Sequence, residues 1–268
     1  MELINISGYK FVPLDNLQQL REQWLLTCYD IGLKGTILLG EEGTNQFLVG
    51  TRQQIDQFID YMRQDPRLAD ITYRESPSDF MPFRKMRVKI KPEIVTMGVD
   101  ELQVATDRSD HLSPEELREW FASGKDFTLL DTRNEFEVEL GTFTGAEQLH
   151  INCFREFPES GSKLSQYDKE KPVVIFCTGG IRCEKAAPIM AREGFKEVYQ
   201  LDGGILNYFV HCGGDFYEGD CFVFDDRITV DPALQPHAKF LCTSCQTVVT
   251  EANTTCENCS HLAEAACI

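Results

Sequence analysis

The sequence predicts a mixed α+β and α/β protein that comprises a ferredoxin-like domain, a parallel-sheet domain and a small cysteine-rich C-terminal segment. Strand and helix patterns over residues 1–98 follow the order β-α-β-β-α-β, which is typical of a ferredoxin-like sandwich. Strands then alternate with helices over residues 113–213, as in α/β domains with a parallel sheet. The polar, acidic residues 99–112 are interpreted as a linker, and residues 214–268 contain closely spaced cysteine pairs.

The first strand and helix of the N-terminal domain are predicted from hydrophobic periodicity. Residues 4–11 are expected to form the strand. Asp15 is the expected N-terminal cap of the helix that follows, and Gly32 is expected to end it. The apolar residues of this helix recur at helical spacing and are Leu17, Leu20, Trp24 and Ile31.

Short apolar runs and one amphipathic stretch predict the rest of the N-terminal domain. Strands are expected at residues 36–39 and 46–49, with a loop at 40–45 between them. Strand-like segments follow at residues 71–74 and 83–96. The second helix lies ahead of these segments and has one apolar face, which consists of Ile55, Phe58, Ile59 and Met62.

The second domain opens with a strong signal for a helix start. Ser113 is the expected cap, Pro114 fits the first helical position and Glu116 completes a capping box. A later helix contains Pro188, which is expected to kink it. The predicted strands are residues 127–131, 172–176 and 197–201, the later helix runs from about 181 to 193, and one more strand is expected at 221–224.

Composition and charge bound the class of protein. The 268 residues are 42% hydrophobic and 26% charged, which is ordinary for a globular protein and excludes a disordered chain, a collagen or a coiled-coil rod. No apolar run approaches the roughly 20 residues of a membrane span, and no signal peptide is evident, so we expect a cytoplasmic protein without membrane contact. The formal charge is −17, but residues 1–98 account for only −1 of it, so a local basic patch is possible there. Eleven cysteines in a cytoplasmic chain indicate catalysis or metal binding more than disulfides.

Cys177 directly follows the apolar strand at residues 172–176, and a helix is predicted to begin within the next few residues. The carboxyl end of a parallel strand is where such sheets bind ligands. The helix N-terminus, its free amides and the charge of Arg182 all favour a thiolate over a thiol. Because glycines let the chain curl tightly, the amides of this loop can converge on the sulfur. The pattern predicts an activated cysteine in a loop completed by Thr178, Gly179, Gly180 and Ile181.

Four motifs occur in the order that the rhodanese superfamily shows, and the chain resembles that superfamily. They are Leu130-Asp131-Thr132-Arg133, Gly145-Ala146, residues 177–182 and Leu201-Asp202-Gly203-Gly204. Four residues separate Cys177 from Arg182, as in rhodanese-like sulfurtransferases, whereas related phosphatases have five. The resemblance implies a persulfide on Cys177 and argues against a phosphatase. Asp131 and Arg133 match the pair that the family usually has near its first strand, and we interpret them as a structural ion pair that supports the loop.

A closer resemblance, to the bacterial tRNA uridine hydroxylases, covers nearly the whole chain. It is carried by residues 177–185, 199–205 and 221–227. Residues 42–46 depart from the family pattern, with Glu-Gly-Thr-Asn-Gln where Glu-Gly-Ile-Asn-Gly is more usual. The family joins a ferredoxin-like domain to a rhodanese domain. The resemblance implies oxygen-dependent formation of 5-hydroxyuridine at position 34 of tRNA, with O2 and an unidentified electron donor as co-substrates.

Cys183 is an unusual addition, one residue after Arg182. It is either a small apolar helix residue or a thiol that resolves a persulfide or sulfenate on Cys177 as a disulfide. No flavin or nicotinamide motif is present, and the five histidines include no pair at helical metal-ligand spacing. Sulfur is therefore the expected reactive element, with Cys177, Arg182 and Cys183 as catalytic residues and a Cys177 sulfur species activating uridine C5 or delivering oxygen to it.

Residues 83–91 carry five cations and predict a basic strand face. Alternation places Met86, Val88 and Ile90 on the opposite, packing face. Because contacts from Lys and Arg to phosphates dominate nucleic-acid affinity, the tRNA-family resemblance favours RNA binding over a merely solvated surface. We define the basic stripe as Lys85, Arg87, Lys89 and Lys91.

Two further features each have two interpretations. The tail has two Cys-x-x-Cys pairs ten residues apart, which predict a structural zinc site or else reduced, mobile cysteines. These four cysteines are Cys242, Cys245, Cys256 and Cys259. The run Asp225-Asp226-Arg227 is either an ion pair between domains or a substrate contact.

Three functions follow from these features. The leading hypothesis is a tRNA-modifying oxidoreductase, with tRNA as its partner. The first alternative is a sulfurtransferase with a small-molecule or protein acceptor, which needs neither the basic stripe nor Cys183. The second is a non-catalytic, redox- or zinc-responsive RNA-binding module, for which Cys177 would be dispensable.

Overall fold

The computed structural model describes residues 3–99 and 110–237, together with four two-residue strands near the C-terminus. Its first domain is a five-stranded sheet in the order β4-β1-β3-β2-β5, with both helices packed on one face. The elements are β1 (Leu3–Phe11), α1 (Leu17–Ile31), β2 (Lys34–Gly40), β3 (Gly43–Gly50), α2 (Arg52–Arg63), β4 (Arg74–Ser78) and β5 (Met86–Ile90). The first four strands pair antiparallel in the predicted ferredoxin-like order, and β5 adds an edge strand parallel to β2.

For helix α1, the predicted C-terminal residue is correct and the predicted N-terminal cap is wrong. Gly32 ends α1 in a left-handed conformation, as expected. Asp15 does not cap the helix, because its carboxylate pairs with Arg67 at 2.7 Å, and Asn16 stands at the cap without a side-chain hydrogen bond.

The strands predicted for the N-terminal domain are present, but several of their boundaries differ from the prediction. The expected loop at residues 40–45 is a two-residue turn, because β3 extends to Gly43 by pairing with both β1 and β2. The strand predicted at 71–74 begins only at Arg74, since Ile71 donates to Leu68 in a turn. The segment predicted at 83–96 is a strand only within β5.

The second domain is a five-stranded, fully parallel sheet in the order β6-β11-β10-β7-β9, which confirms the predicted α/β architecture. Apolar cores cover both faces of this sheet. Its elements are β6 (Asp110–Leu112), α3 (Pro114–Ser123), β7 (Thr128–Asp131), α4 (Glu135–Leu140), β8 (Gly141–Phe143), β9 (Glu147–Gln148), two 3₁₀ turns (Phe154–Glu156 and Pro158–Ser160), α5 (Gly161–Leu164), β10 (Val173–Phe176), α6 (Ile181–Arg192), β11 (Val198–Leu201) and α7 (Gly204–Cys212).

One detail differs from the sequence prediction. Residues 110–112, assigned to the linker, form strand β6 because they pair with the edge of β11. Pro188 lies inside helix α6, as expected, and the kink predicted there stays a prediction. At the start of α3, Ser113 and Glu116 form the predicted capping box.

The C-terminal segment returns to both domains. Strand β12 (Tyr217–Gly219) pairs with β8, and β13 (Cys221–Phe222) pairs with β14 (Thr229–Val230), so the strand predicted at 221–224 is shorter than expected. Four further strands form two small hairpins: β15 (Phe240–Leu241), β16 (Val248–Val249), β17 (Thr254–Thr255) and β18 (Leu262–Ala263). Within the described ranges, no helix combines the length and the apolar character that crossing a membrane requires.

Arg227 connects the C-terminal segment to the N-terminal domain. Its guanidinium binds Asp225 at 2.6 Å and the hydroxyl of Ser76 in β4 at 2.6 Å. The amide of Asp226 donates to the carbonyl of Pro82, also in the N-terminal domain. Of the two interpretations of residues 225–227, the geometry therefore fits a contact between domains.

Lys185 makes the second connection between the domains. Its ammonium group projects from α6 and is only 3% exposed. It donates to Glu42 in the β2–β3 turn at 3.0 Å, to Glu93 at 2.7 Å and to the carbonyl of Val95 at 3.0 Å. Because all three partners belong to the N-terminal part of the chain, this cation fixes the sheet of that domain against the start of α6.

We predict that Lys185→Met lowers the free energy of unfolding by about 3 kcal/mol, because removing one partner of a buried ion pair leaves the others uncompensated. Lys171→Met is the matched control, since Lys171 pairs with Asp126, whose side chain is 87% exposed. The control should cost less than about 1 kcal/mol, as exposed ion pairs contribute little. Urea unfolding followed by circular dichroism measures both, and equal midpoints would contradict the prediction.

Candidate active site

Cys177 lies at the carboxyl edge of the parallel sheet, between the end of β10 and the start of α6. Gly180 caps that helix with a φ of 97°, a left-handed conformation that glycine adopts without strain. This turn directs the amides of Gly180 and Arg182 at the Cys177 sulfur, with 3.1 Å between the Gly180 nitrogen and Sγ. We call residues 177–182 the cysteine loop.

Helix α7 supports the cysteine loop from behind. The amides of Ile205 and Leu206 donate to the carbonyls of Cys177 and Thr178 at 3.0 and 3.1 Å. Gly204 makes this approach possible, because a Cβ atom there would lie 2.3 Å from the Cys177 carbonyl oxygen. The backbone of the loop is thus held in place by the start of α7.

The sulfur of Cys177 is held as an anion. Burial raises the pKa of this thiol, but the hydrogen bond from Cys183, the charge of Arg182 and the amides of Arg182 and Gly180 outweigh burial and lower the pKa to about 6. The group is therefore mostly thiolate at neutral pH.

Cys183 is buried directly beside this thiolate and remains protonated. Burial and the neighbouring negative charge raise the pKa of Cys183 well above its usual value, so its thiol donates to Cys177. The hydroxyl of Thr132 lies 3.7 Å from the Cys183 sulfur and itself donates to the carbonyl of Phe176 at 2.9 Å. The structure thus brings together the two cysteines that the sequence singled out, as a thiolate and a thiol.

Arg182 is paired more tightly than the sequence suggested. Its guanidinium donates to both carboxylate oxygens of Glu137, at 2.5 and 2.7 Å, and to the hydroxyl of Thr178 at 3.3 Å. Burial opposes ionisation of Glu137, yet Arg182 outweighs it and lowers the pKa of that carboxyl. Sequence reasoning missed Glu137, whose local signal is a position three residues after Asn134 at the start of α4.

Asp131 and Arg133 form a second buried ion pair at 2.6 Å, and both side chains are fully buried. Arg133 also donates to the carbonyl of Gly141 at 2.6 Å, and Thr142 donates to Asp131 at 2.8 Å. Neither charged residue lines the cavity onto which Cys177 opens. Their geometry fits support of the strand ends around the cysteine loop.

A cavity of about 990 Å³ separates the cysteine loop from the open sheet face of the N-terminal domain. Cys177 lines it, together with four other residues of the loop, whereas Cys183 does not. Its volume is at the upper end of the range of small-molecule pockets. Aromatic residues of the N-terminal sheet and of the C-terminal segment also line it, and we call four of them the aromatic wall: Tyr9, Phe11, Phe47 and Phe224.

These aromatic side chains are fixed by their neighbours. The phenol of Tyr9 donates to Glu184 at 3.1 Å, and burial and the charge of Glu184 raise the pKa of Tyr9, so it keeps its proton. Phe224 reaches over from the C-terminal segment, with its ring centroid 6.4 Å from that of Phe47. Planar rings of this kind provide stacking surfaces for a nucleobase.

The basic stripe runs along the same sheet face as this cavity. In the parallel pairing of β2 with β5, Arg87 is opposite Thr36 and Lys89 is opposite Leu38. Residues opposite each other project to the same face, and both Thr36 and Leu38 line the cavity, as does Lys91 itself. The stripe therefore leads to the opening of the cavity along an edge strand.

Burial in β5 follows the predicted alternation with one exception. Met86 and Val88 are buried, and all four cations of the stripe are exposed. Ile90 is 39% exposed instead of packed, because it ends an edge strand whose apolar contact with the helices stops at Val88.

The predicted zinc ligands, Cys242, Cys245, Cys256 and Cys259, lie outside the described residues. In the part of the chain that the structure does describe, no three His, Cys, Asp or Glu residues cluster as metal ligands would. The zinc site stays a prediction from spacing.

Comparison with known proteins bears on both domains. The family described as UPF0176 acylphosphatase like domain matches residues 3–94, and the rhodanese-like domain family matches residues 113–210. A protein of Bordetella petrii named tRNA uridine(34) hydroxylase is 49% identical, over 87% of this chain and 95% of that protein. Proteins of the same name from Cupriavidus necator and Burkholderia cenocepacia are 47% and 43% identical, over 93% and 99% of this chain and 90% and 100% of their own lengths.

The chain belongs to the tRNA uridine(34) hydroxylase family.

Membership of this family confirms the resemblance on which the sequence analysis relied. The second domain is a rhodanese domain, and the N-terminal domain is its ferredoxin-like partner. The relatives align along almost their full lengths, so family membership extends to the arrangement of both domains in one chain.

We predict that alkylation of Cys177 by iodoacetamide is half-maximal at about pH 6, because the thiolate reacts and its pKa is lowered to that value. The rate should rise with pH through this midpoint and level off above it. Peptide mass spectrometry measures the rate at this one cysteine.

Two variants separate the causes of the lowered pKa. Cys183→Ala removes the hydrogen-bond donor, so the midpoint should move to higher pH, whereas Cys183→Ser keeps an O–H donor and should stay close to the wild type. A wild-type rate that still climbs through the ordinary thiol pKa of about 8.5 would contradict an activated cysteine.

Proposed function

We propose that this protein hydroxylates uridine 34 of tRNA at C5, with O2 as the oxygen source. The observation that carries the proposal is the Cys177 thiolate, which opens onto a cavity with an aromatic wall and a cationic edge. Relatives that are 43–49% identical over most of the chain bear the name of this activity. Because tRNA is the substrate, the bacterial cytoplasm is the proposed location.

The dimensions of the cavity suit one nucleotide taken out of its loop. The wobble nucleotide belongs to a single-stranded anticodon loop, where bases are splayed out at low cost and stack on aromatic side chains. In the proposed complex, the uracil ring enters between the aromatic wall and the cysteine loop. Phosphates of the anticodon stem-loop lie along the basic stripe, whose cations contact the backbone without reading sequence.

The thiolate of Cys177 serves this chemistry through its nucleophilicity. It acts either by adding to the pyrimidine ring and making C5 electron-rich, or by taking up an oxygen atom and passing it to C5. Both routes place the Cys177 sulfur at the reacting atoms. The buried pair of Arg182 with Glu137 fixes the shape of the loop around that sulfur.

The spacing of four residues between Cys177 and Arg182 is also what a sulfurtransferase needs, so sulfane transfer is the second candidate function. In that case a persulfide on Cys177 would be passed to an acceptor in the cavity. A thiosulfate:cyanide assay on the same purified protein separates the two activities.

We predict that Cys177→Ser abolishes 5-hydroxyuridine in tRNA from cells that carry only the variant, because serine at neutral pH is not ionised. Nucleoside mass spectrometry of total tRNA measures the product. Cys28→Ser is the matched control, since Cys28 is buried in the N-terminal core away from the cavity. Undiminished product in the Cys177 variant would exclude the proposed chemistry.

We predict that Arg87→Glu with Lys89→Glu weakens tRNA binding and lowers the steepness of its salt dependence by about one unit per lost phosphate contact. The control is Arg52→Glu with Arg63→Glu, an equal charge change on α2, which packs on the other face of the same sheet. Binding of unmodified tRNA is titrated at several salt concentrations. The same affinity and salt slope in both double variants would rule out the stripe as the RNA contact.

A further inference from the structure

We propose that Cys177 and Cys183 together supply the two electrons that each hydroxylation consumes, by closing to a disulfide. This inference rests on the proposed function and deepens it, since it names the immediate electron donor of the reaction. It assigns to Cys183 a direct part in the chemistry.

Insertion of one atom of O2 into a C–H bond leaves a second oxygen atom that must be reduced to water. That reduction needs two electrons from outside the substrate. Two adjacent thiols hold that number, because each sulfur gives up one electron when a disulfide forms.

The fold places Cys177 and Cys183 next to each other at the start of α6. Cys177 directly follows strand β10 and begins the cysteine loop. The amide of Cys183 donates to the carbonyl of Gly180 at 3.0 Å, so the first turn of α6 is bonded to this loop. Gly180 is therefore bonded to both cysteines, since its own amide donates to the Cys177 sulfur at 3.1 Å, and Thr132 lies 3.7 Å from the Cys183 sulfur. Closing the disulfide brings the two sulfurs to a bond of about 2 Å.

The two sulfurs also differ in protonation and in position. Cys177 is the nucleophilic thiolate and faces the cavity, while Cys183 keeps its proton and lies behind it, outside the cavity wall. Cys183 can therefore attack an oxidised Cys177 sulfur from the protein side while the substrate occupies the other. Both residues are free cysteines in the structure, as the reduced resting state requires.

The reaction balances in atoms and charge. Uridine C5–H, O2, the Cys177 thiolate, the Cys183 thiol and one solvent proton give C5–OH, water and the Cys177–Cys183 disulfide. The C5–H, O–O and Cys183 S–H bonds break, the C5–O and S–S bonds form, and the released hydrogens and the solvent proton complete the new hydroxyl and the water that carries away the second oxygen atom. A dithiol reductant then enters through the cavity, attacks the Cys177 sulfur that lines it and restores both thiols.

The test is a turnover without external reductant. The full chain is reduced with dithiothreitol, freed of it under nitrogen, and mixed with unmodified tRNA and O2. We expect about one 5-hydroxyuridine per protein chain and, in the same sample, a Cys177–Cys183 disulfide in the peptide map. Added dithiothreitol should turn this single event into continuous turnover.

Cys183→Ser should lose the reductant-free product and regain part of it when excess dithiothreitol replaces the missing thiol. A purely structural role of Cys183 would not be rescued by an added thiol. Cys212→Ala is the matched control and should behave as the wild type. Cys212 is the last residue of α7 and is buried in the core. Thermal unfolding of each variant verifies that it is folded.

Product without the disulfide in the wild type would overturn the inference, even if Cys183→Ser proves too unstable to assay. A folded Cys183→Ser that gives the full reductant-free product would overturn it as well. Both results leave the proposed function intact. Absence of product from the wild type with dithiothreitol, O2 and tRNA present would instead refute the proposed function itself, and this inference with it.

Discussion

The rest of the structure depends on keeping one sulfur anionic in a place with little water. Burying a charge costs several kcal/mol unless neighbouring groups compensate for it. Here the compensation comes from two backbone amides, one neighbouring thiol and one guanidinium, all within the first turn of α6 or the loop before it. Because this arrangement needs a left-handed Gly180 and a close approach at Gly204, the backbone itself is part of the site.

The second constraint is the position of one domain relative to the other. The rhodanese domain holds the sulfur, but the aromatic wall and the cations belong largely to the N-terminal sheet. Lys185 ties the helix that starts at the cysteine loop to Glu42 and Glu93 across the interface, and Arg227 adds a contact with Ser76. These contacts connect the two domains whose residues line the cavity.

Charge pairing also limits what the loop can do. A free guanidinium at Arg182 would attract an anionic ligand, but its bidentate contact with buried Glu137 turns it inward, where it shapes the loop. The same is true of Asp131 and Arg133, which satisfy each other. The cations of the basic stripe, in contrast, are exposed.

The sequence by itself determined what depends on neighbours along the chain. The strand periodicity, the capping box at Ser113 and the alternating cations of β5 all reflect contacts within a few residues, and the elements predicted from them are present. Tertiary structure decided what depends on partners far away. Asp15 pairs with Arg67 instead of capping α1, and residues 110–112 form a strand beside β11. Glu137 pairs with Arg182, and Lys185 contacts two carboxylates of the other domain. These outcomes follow from which buried polar groups and open strand edges the fold brings within hydrogen-bond distance, and no local pattern encodes that distance.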